Sequence, residues 1–361
     1  MSGPLSSGDV IGSRYAIERY VDEGGMQFVY AAIDQLTARR IALKTPKNPS
    51  AQKRFKRSAV VAAKVNHPNV AKTLDYIEQG EDQYLIEELI VGKDLDKAIL
   101  KRVKFLDPYL AAKVFHHLAK GIGAAHHAKV IHRDLKPTNI MVDGDYSEFR
   151  LKITDFGIAK LAEEELEGFV EDVEATLSNS STAVGALPYM APEAIDTPKA
   201  VTSKADIWSL GAMMYRLLTG ELPFGTGLRA VGKILAAEMP QAPGFLSANA
   251  QFSPLANELL GLSLSCMRKN PDERPTADDL VTACGRLCYS PAARAEGIIK
   301  TIKFNSWGFI DCGERDEIFF NFDSFYGVDR PKIGDLVGFS RHAGQGAYRA
   351  HPMVQITPLA P

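Results

Sequence analysis

Val130-Ile131-His132-Arg133-Asp134-Leu135-Lys136-Pro137-Thr138-Asn139, followed by the apolar run Ile140-Met141-Val142, is the stretch around which the chain is organised. Apolar, strand-like residues bound a polar turn that carries one carboxylate, one amine and one carboxamide within six positions. Packing alone would not select those three types together, so the turn reads as a site rather than as a simple connection.

A His-Arg-Asp triplet by itself is equally a solvated charged turn; order and spacing separate the two readings. Asp155-Phe156-Gly157 follows after one more strand pair, and Ala191-Pro192-Glu193 closes the segment. Farther on stand Asp206-Ile207-Trp208-Ser209-Leu210-Gly211 and Arg274. This set resembles the eukaryotic-like (Hanks-type) serine/threonine protein kinases of bacterial type, and the resemblance covers about Arg14 to Leu287. It implies an α+β bilobal fold, with a β-rich small lobe and a helical large lobe.

In that resemblance Asp134 accepts the proton of the substrate hydroxyl, and Lys136 neutralises the moving phosphoryl group. Asn139 and Asp155 hold magnesium, Asp206 anchors the catalytic loop, and Arg274 pairs with Glu193. A lysine two places after the aspartate suggests serine/threonine rather than tyrosine substrates. The implied reaction moves the γ-phosphoryl group of ATP to a protein hydroxyl.

At 361 residues and a formal net charge of −2, the chain has room for two or three domains, and the charge shows no strong field for nucleic acid or membrane. Met1 to Ser13 lacks the basic start and apolar core of a signal peptide, and no apolar run approaches the roughly 20 residues of a membrane helix. A soluble, cytoplasmic protein without a membrane partner is expected. Cys266, Cys284, Cys288 and Cys312 show no metal-ligand spacing and read as small packing residues.

From Arg14 to Val91 the pattern is strand-rich, with Tyr15–Val21, Gln27–Ile33 and Arg40–Thr45 as strands and Ala51–Val65 as a helix. Ile41-Ala42-Leu43-Lys44 matches the kinase strand whose lysine bridges ATP phosphates, and a cation flanked by apolar strand residues is poorly explained by packing. Val29, Ala42 and Met141 are expected to sandwich the adenine, and the backbone near Glu88 and Ile90 to bond its edge. The loop Val21-Asp22-Glu23-Gly24-Gly25-Met26-Gln27 is expected to cover the phosphates through Gly24 and Gly25, although Asp22 and Gln27 stand where kinases carry glycine.

Three further departures bear on activity. Alignment puts Ser58 where active kinases carry the helix glutamate that pairs with the strand lysine, and no acidic residue occurs from Thr45 to Leu74. Glu87 occupies the gatekeeper position at the rear of the nucleotide pocket. A buried carboxylate is costly unless paired, so either Glu87 forms an ion pair with Lys44 or the alignment slips and Glu87 faces solvent. Ala186 stands where these kinases carry a threonine that bonds the catalytic residues. Between Asp155 and Glu193, the hydroxyl cluster Thr176, Ser178, Ser180, Ser181 and Thr182 is either phosphorylated and paired with Arg133 or a polar loop.

From Gly92 to about Leu287 the spacing turns helical, over Leu110–His126, Ala205–Leu218, Leu255–Met267 and Thr276–Leu287. The pairs His116-His117 and His126-His127 point about 100° apart on that first helix and read as packing or solvated residues. Past Ser290-Pro291 the character changes to short strands with closely spaced glycines and aromatics, which suggest a five-stranded barrel. Trp307-Gly308-Phe309-Ile310 and Ile318-Phe319-Phe320-Asn321 resemble the two nucleic-acid motifs of a cold-shock domain, an OB-fold barrel. Trp307, Phe309 and Phe319 would then stack on single-stranded bases. Against this, Asn305-Ser306 and Asn321 depart from the family pattern, and eight Lys plus Arg meet eight Asp plus Glu from Arg294 to the end. Nucleic-acid binding and a regulatory or protein-contact role both stay open.

The chain thus divides into a kinase domain over 14–288 (small lobe 14–91, large lobe 92–288) and a barrel over 294–358. Protein substrates are the expected partners, and autophosphorylation of the activation segment is expected. A nucleotide-binding pseudokinase and a nucleic-acid-binding regulator controlled by the kinase lobe are the alternatives.

Overall fold

The computed structural model describes residues 3–23, 27–47, 49–143, 150–156, 185–287, 289, 292–313 and 317–358. The small lobe is an antiparallel sheet of β1 (Val10–Ile11), β2 (Tyr15–Glu23), β3 (Gln27–Asp34), β4 (Arg39–Pro46), β5 (Thr73–Gln79) and β6 (Asp82–Glu88), in the order β1-β2-β3-β4-β6-β5. Helix α1 (Pro49–Ala62) lies against β4, β5 and β6. The central strand β4 is buried from Ile41 to Thr45 because it is flanked on both edges and covered on one face.

Strand register decides which side chains share a face. Val29 pairs with Lys44 and Gln27 with Pro46, while Ala42 pairs with Glu87 and Lys44 with Leu85. Paired residues project to the same side of a pleated sheet, so Gln27, Val29, Ala42, Lys44 and Glu87 all belong to one face.

The large lobe begins with a three-stranded sheet of β7 (Gly92–Asp94), β8 (Ile140–Asp143) and β9 (Arg150–Ile153), and a short π-helical segment, Asp96–Leu100, follows β7. Its central helix α2 (Pro108–His127) starts where Asp107 accepts hydrogen bonds from the N–H groups of Tyr109 and Leu110, with Pro108 at the first helical position. Then come α3 (Pro192–Asp196), α4 (Lys204–Thr219), α5 (Leu228–Ala236), α6 (Ser253–Cys266) and α7 (Ala277–Gly285). The α4–α6 approach needs glycine at 211, where an added Cβ would lie 2.5 Å from the Cys266 side chain and 2.7 Å from the Ser263 carbonyl. Helix α5 has no counterpart in the sequence reading above. The thiols of Cys266 and Cys284 are free and buried, and burial pushes Cys284 up to about 12, the mark of packing cysteines. Among the described residues, no helix is long and apolar enough to cross a membrane.

The C-terminal strands β10 (Arg294–Lys303), β11 (Trp307–Asp311), β12 (Ile318–Asn321), β13 (Leu336–His342) and β14 (Tyr348–Gln355) close into a five-stranded barrel in the order β10-β11-β12-β14-β13. Alternation sorts its residues: Ile310, Phe320 and Phe339 fill the interior, whereas Phe309 and Phe319 are paired neighbours on the outside. The barrel is docked on the large lobe. Tyr326, Val354 and Ile356 belong to the same buried apolar cluster as α2 and α4, and Arg294 and Arg102 bridge the junction to Asp107 and Glu296.

Candidate active site

The quoted stretch forms the turn between α2 and β8, and buried groups hold it from behind. The Asp206 carboxylate, fully buried at the start of α4, accepts from the backbone N–H groups of His132 (2.9 Å) and Arg133 (2.8 Å), and His126 Nε2 lies 2.9 Å from its Oδ2. Burial works to raise the Asp206 carboxyl, but His126, His132 and the backbone N–H of His132 together hold the group below the ordinary aspartate value. The sequence reading missed this role for His126, because helical adjacency says nothing about a partner on α4. His132 Nε2 is 2.9 Å from the Thr154 carbonyl, which ties the turn to the strand leading into Asp155.

Within the turn, Lys136 Nζ is 2.9 Å from Asp134 Oδ2, and Asn139 Nδ2 donates to the same oxygen at 2.9 Å and to the Asp134 carbonyl at 2.8 Å. These bonds fix the carboxylate and leave the Asn139 amide oxygen as an acceptor. Arg133 has φ = 67° and Asp155 φ = 62°, a left-handed backbone that is uncommon outside glycine and asparagine. Half-buried Arg133 sits beside this turn. At the far end of the segment, Arg274 binds Glu193 through two contacts of 2.5 and 2.8 Å and lies over the Trp208 ring.

From the small lobe, Lys44 Nζ reaches Glu87 Oε2 at 2.6 Å and Asp155 Oδ1 at 2.7 Å. Of the two expectations for Glu87, the geometry is that of a buried ion pair, not of a solvent-facing side chain. Burial by itself would lower the Lys44 ammonium, and the two carboxylates reverse this and raise it. Burial works to raise Asp155, but Lys44, the hydrogen bond from Gln27 and His132 together hold it below the ordinary value, whereas burial keeps Glu87 above it. One ammonium shared by two carboxylates favours ionising the less enclosed Asp155, with a side chain 24% exposed against 7% for Glu87.

Gln27 also enters this group: its Nε2 donates to Asp155 Oδ1 at 2.9 Å. The sequence reading saw Gln27 only as a missing glycine. Val29 and Ala42 share the Lys44 face of the small-lobe sheet, Met141 is half-buried on β8, and Glu88 forms an ion pair with Lys152 before the chain continues to half-buried Ile90. Ala186, with no hydroxyl, precedes a turn over Leu187–Tyr189. Gly24, Gly25 and the cluster Thr176, Ser178, Ser180, Ser181 and Thr182 lie outside the described residues, as do Gly157 and Cys288.

Could this set hold a magnesium ion? The candidate donors are a carboxylate, Asp155, and an amide oxygen, Asn139, both hard oxygens on adjoining segments, since Thr154 N–H donates to the Asn139 carbonyl at 2.9 Å. Among the described residues no group of three or more His, Cys, Asp or Glu side chains forms a metal cage. A small set of protein oxygens suits magnesium, which commonly keeps waters and takes substrate phosphates to complete its octahedron. The residues fit.

On the barrel, Trp307, Phe309 and Phe319 make one outward cluster with ring centroids 5.8 to 6.0 Å apart, Phe304 beside it is 89% exposed, and Arg349 lies over Phe319.

The sequence matches the protein kinase domain family over residues 15–283. It is 31% identical over 300 residues to a Corynebacterium glutamicum protein named probable serine/threonine-protein kinase PknB, covering 79% of this chain and 44% of that relative. It is 32% identical over 288 residues to serine/threonine-protein kinase PkaA of Streptomyces coelicolor (75% and 49%), and 33% identical over 243 residues to serine/threonine-protein kinase PrkC of Bacillus subtilis (65% and 35%). The chain thus spans about half or less of the length of these relatives. With the polar turn, its buried anchor and the paired lysine assembled as described, and the family matched over most of the chain, this chain belongs to the protein kinase domain family.

Proposed function

We propose that this chain is a serine/threonine protein kinase that transfers the γ-phosphoryl group of ATP to protein hydroxyls. The observation that carries this reading is the pair of charge groups, Lys44 with Asp155 and Asp134 with Lys136 and Asn139, held on segments joined by the hydrogen bond from Thr154 N–H to the Asn139 carbonyl. Asp134 would orient the substrate hydroxyl and take its proton as the oxygen bonds to the γ-phosphorus and the bridging bond to ADP breaks. Lys136 would offset charge on the moving group, and Lys44 would bind the inner phosphates. Asn139 and Asp155 would hold magnesium, which neutralises phosphate charge when bound. Val29, Ala42 and Met141 would enclose the adenine, with backbone bonds near Glu88 and Ile90. The domain division is 14–288 for the kinase unit and 294–358 for the barrel.

Incubation with radiolabelled ATP and magnesium, beside an Asp134→Asn variant, tests this directly. Label on the parent, reduced by about 10³-fold or more in the variant, is expected, and mass spectrometry should place part of it on Thr176, Ser178, Ser180, Ser181 or Thr182. ATP binding without label on the chain or on any added protein would make it a pseudokinase.

The barrel supports a second activity. Its outward Trp307, Phe309 and Phe319, joined by Phe304, form a platform of the kind on which single-stranded bases stack, and the barrel is cold-shock-like in this respect. Balanced charge offers little phosphate attraction, so affinity would rest on stacking, and Trp307→Ala should weaken retention of single-stranded RNA or DNA on a filter by about tenfold. No retention by the parent at low salt removes this reading and leaves a protein-contact face.

A further inference from the structure

Gln27 stands at the first position of β3, where the protein kinase pattern carries a glycine and therefore no side chain. Here the side chain is present, is 5% exposed and has a definite aim. Register with β4 places it on the face of Val29 and Lys44, and its Nε2 donates to Asp155 Oδ1, the same oxygen that receives Lys44 Nζ. A carboxylate next to an ammonium requires the amide to present its N–H₂ end, which fixes the carboxamide orientation.

The other end is then the informative one. Gln27 Oε1 is buried and, among the described residues, has no hydrogen-bond partner, a state that is costly if nothing ever fills it. The orphan is an acceptor. A phosphate oxygen offers it no donor and repels it, whereas a divalent cation or its bound water satisfies it. Two donors already converge on Asp155 Oδ1, and among the described residues no hydrogen bond reaches its Oδ2. The Asn139 amide oxygen faces away from its own donor nitrogen, which is committed to Asp134.

We propose that Gln27 supplies a third protein oxygen, through Oε1, to the divalent cation that accompanies the nucleotide at Asp155 and Asn139. This rests on the Mg·ATP reading above and adds to it a ligand from the phosphate-covering loop. In this arrangement the amide does two things at once: its nitrogen orients Asp155 and its oxygen faces the cation. It also gives the side chain at a normally bare position a reason to be polar, since a spacer of this length filled by packing alone would be apolar.

The test measures cation binding, not turnover. Free Mn²⁺ is followed by electron paramagnetic resonance in the presence of saturating ADP, and ADP affinity is measured by calorimetry with Mg²⁺ and with EDTA. Gln27→Met keeps the length and removes the oxygen; it should weaken Mn²⁺ about tenfold while ADP affinity in EDTA stays the same. Gln27→Glu keeps an oxygen at the same reach and adds charge beside Asp155. It should bind Mn²⁺ at least as tightly as the parent, melt lower without metal, and gain more melting temperature from Mn²⁺ than the parent does. Unchanged or tighter Mn²⁺ binding by Gln27→Met, with the parent binding normally, overturns the inference and makes Gln27 an obstruction instead. A parent that binds no ADP with or without metal would bring down the nucleotide reading itself, and this inference with it.

Discussion

Two buried charge groups in this protein are built from similar parts and have opposite characters. In the cleft, Lys44 is shared by Glu87 and Asp155, with Gln27 adding a donor to Asp155 and keeping an acceptor unfilled. At the junction with the barrel, Arg294 meets Asp107 through two contacts of 2.7 and 3.0 Å, and Arg102 meets Glu296 through two of 2.6 and 2.7 Å. There each guanidinium faces one carboxylate: Arg102 and Glu296 meet in the forked geometry, whereas Asp107 takes one hydrogen bond from Arg294 through Oδ1, and its buried Oδ2, close to Arg294 Nη1, makes no hydrogen bond among the described residues. In the cleft, two carboxylates compete for one point-like ammonium and are pushed in opposite directions, Glu87 up and Asp155 down. The difference between the two groups is therefore one of charge balance: in the cleft one ammonium serves two carboxylates, and at the junction each guanidinium serves one.

The largest effect expected from this contrast is at the junction. Asp107 is fully buried and also caps α2, so removing its arginine leaves a carboxylate that, among the described residues, accepts only from the Tyr109 and Leu110 N–H groups. Arg294→Met should destabilise the whole chain by about 3 kcal/mol in urea unfolding. Because Tyr326, edge-on to Phe105, Phe245 and Phe252, belongs to the large-lobe core, barrel and lobe should unfold in one transition. Separate transitions, with the variant matching the parent, would show that the barrel is only tethered and that the pair contributes nothing.

How much of this was legible beforehand depends on how far apart the cooperating residues lie. Asp134, Lys136 and Asn139 sit within six positions, and Lys44 announces itself as a cation in an apolar strand, so spacing marks the turn and the lysine as a site, while their roles come from the kinase resemblance. Glu87 was half legible: with no acid on the helix and a carboxylate on a strand that should be apolar, the sequence offered an ion pair or a solvent-facing side chain, and only the fold separates them. Gln27 was not, because its meaning depends on β3–β4 register and on Asp155, which follows it by 128 residues. His126 was hidden for the same reason, with its partner Asp206 on another helix. The barrel strands showed in their alternation, but its docking did not, since Arg102, Asp107 and Tyr326 are individually ordinary residues that become an interface only when the fold brings them together.

A smaller effect sharpens the cleft side of the comparison. Lys44 is held by Glu87 from its own sheet, directly opposite Ala42 and diagonal to the lysine, where the family uses a glutamate on the helix that here carries Ser58. A carboxylate on a rigid strand does not move with a helix, so the lysine is positioned without any adjustment of α1. Glu87→Gln keeps the shape and replaces a charge-assisted hydrogen bond by a neutral one, a difference of about 1–1.5 kcal/mol, and should therefore weaken nucleotide binding and turnover about tenfold. Adding Ser58→Glu to that variant, which returns the acid to the family's position, should recover part of the loss. Identical affinity and turnover in parent and Glu87→Gln would mean that Asp155 alone positions the lysine and that Glu87 works as a neutral acid, the state toward which its burial already pushes it.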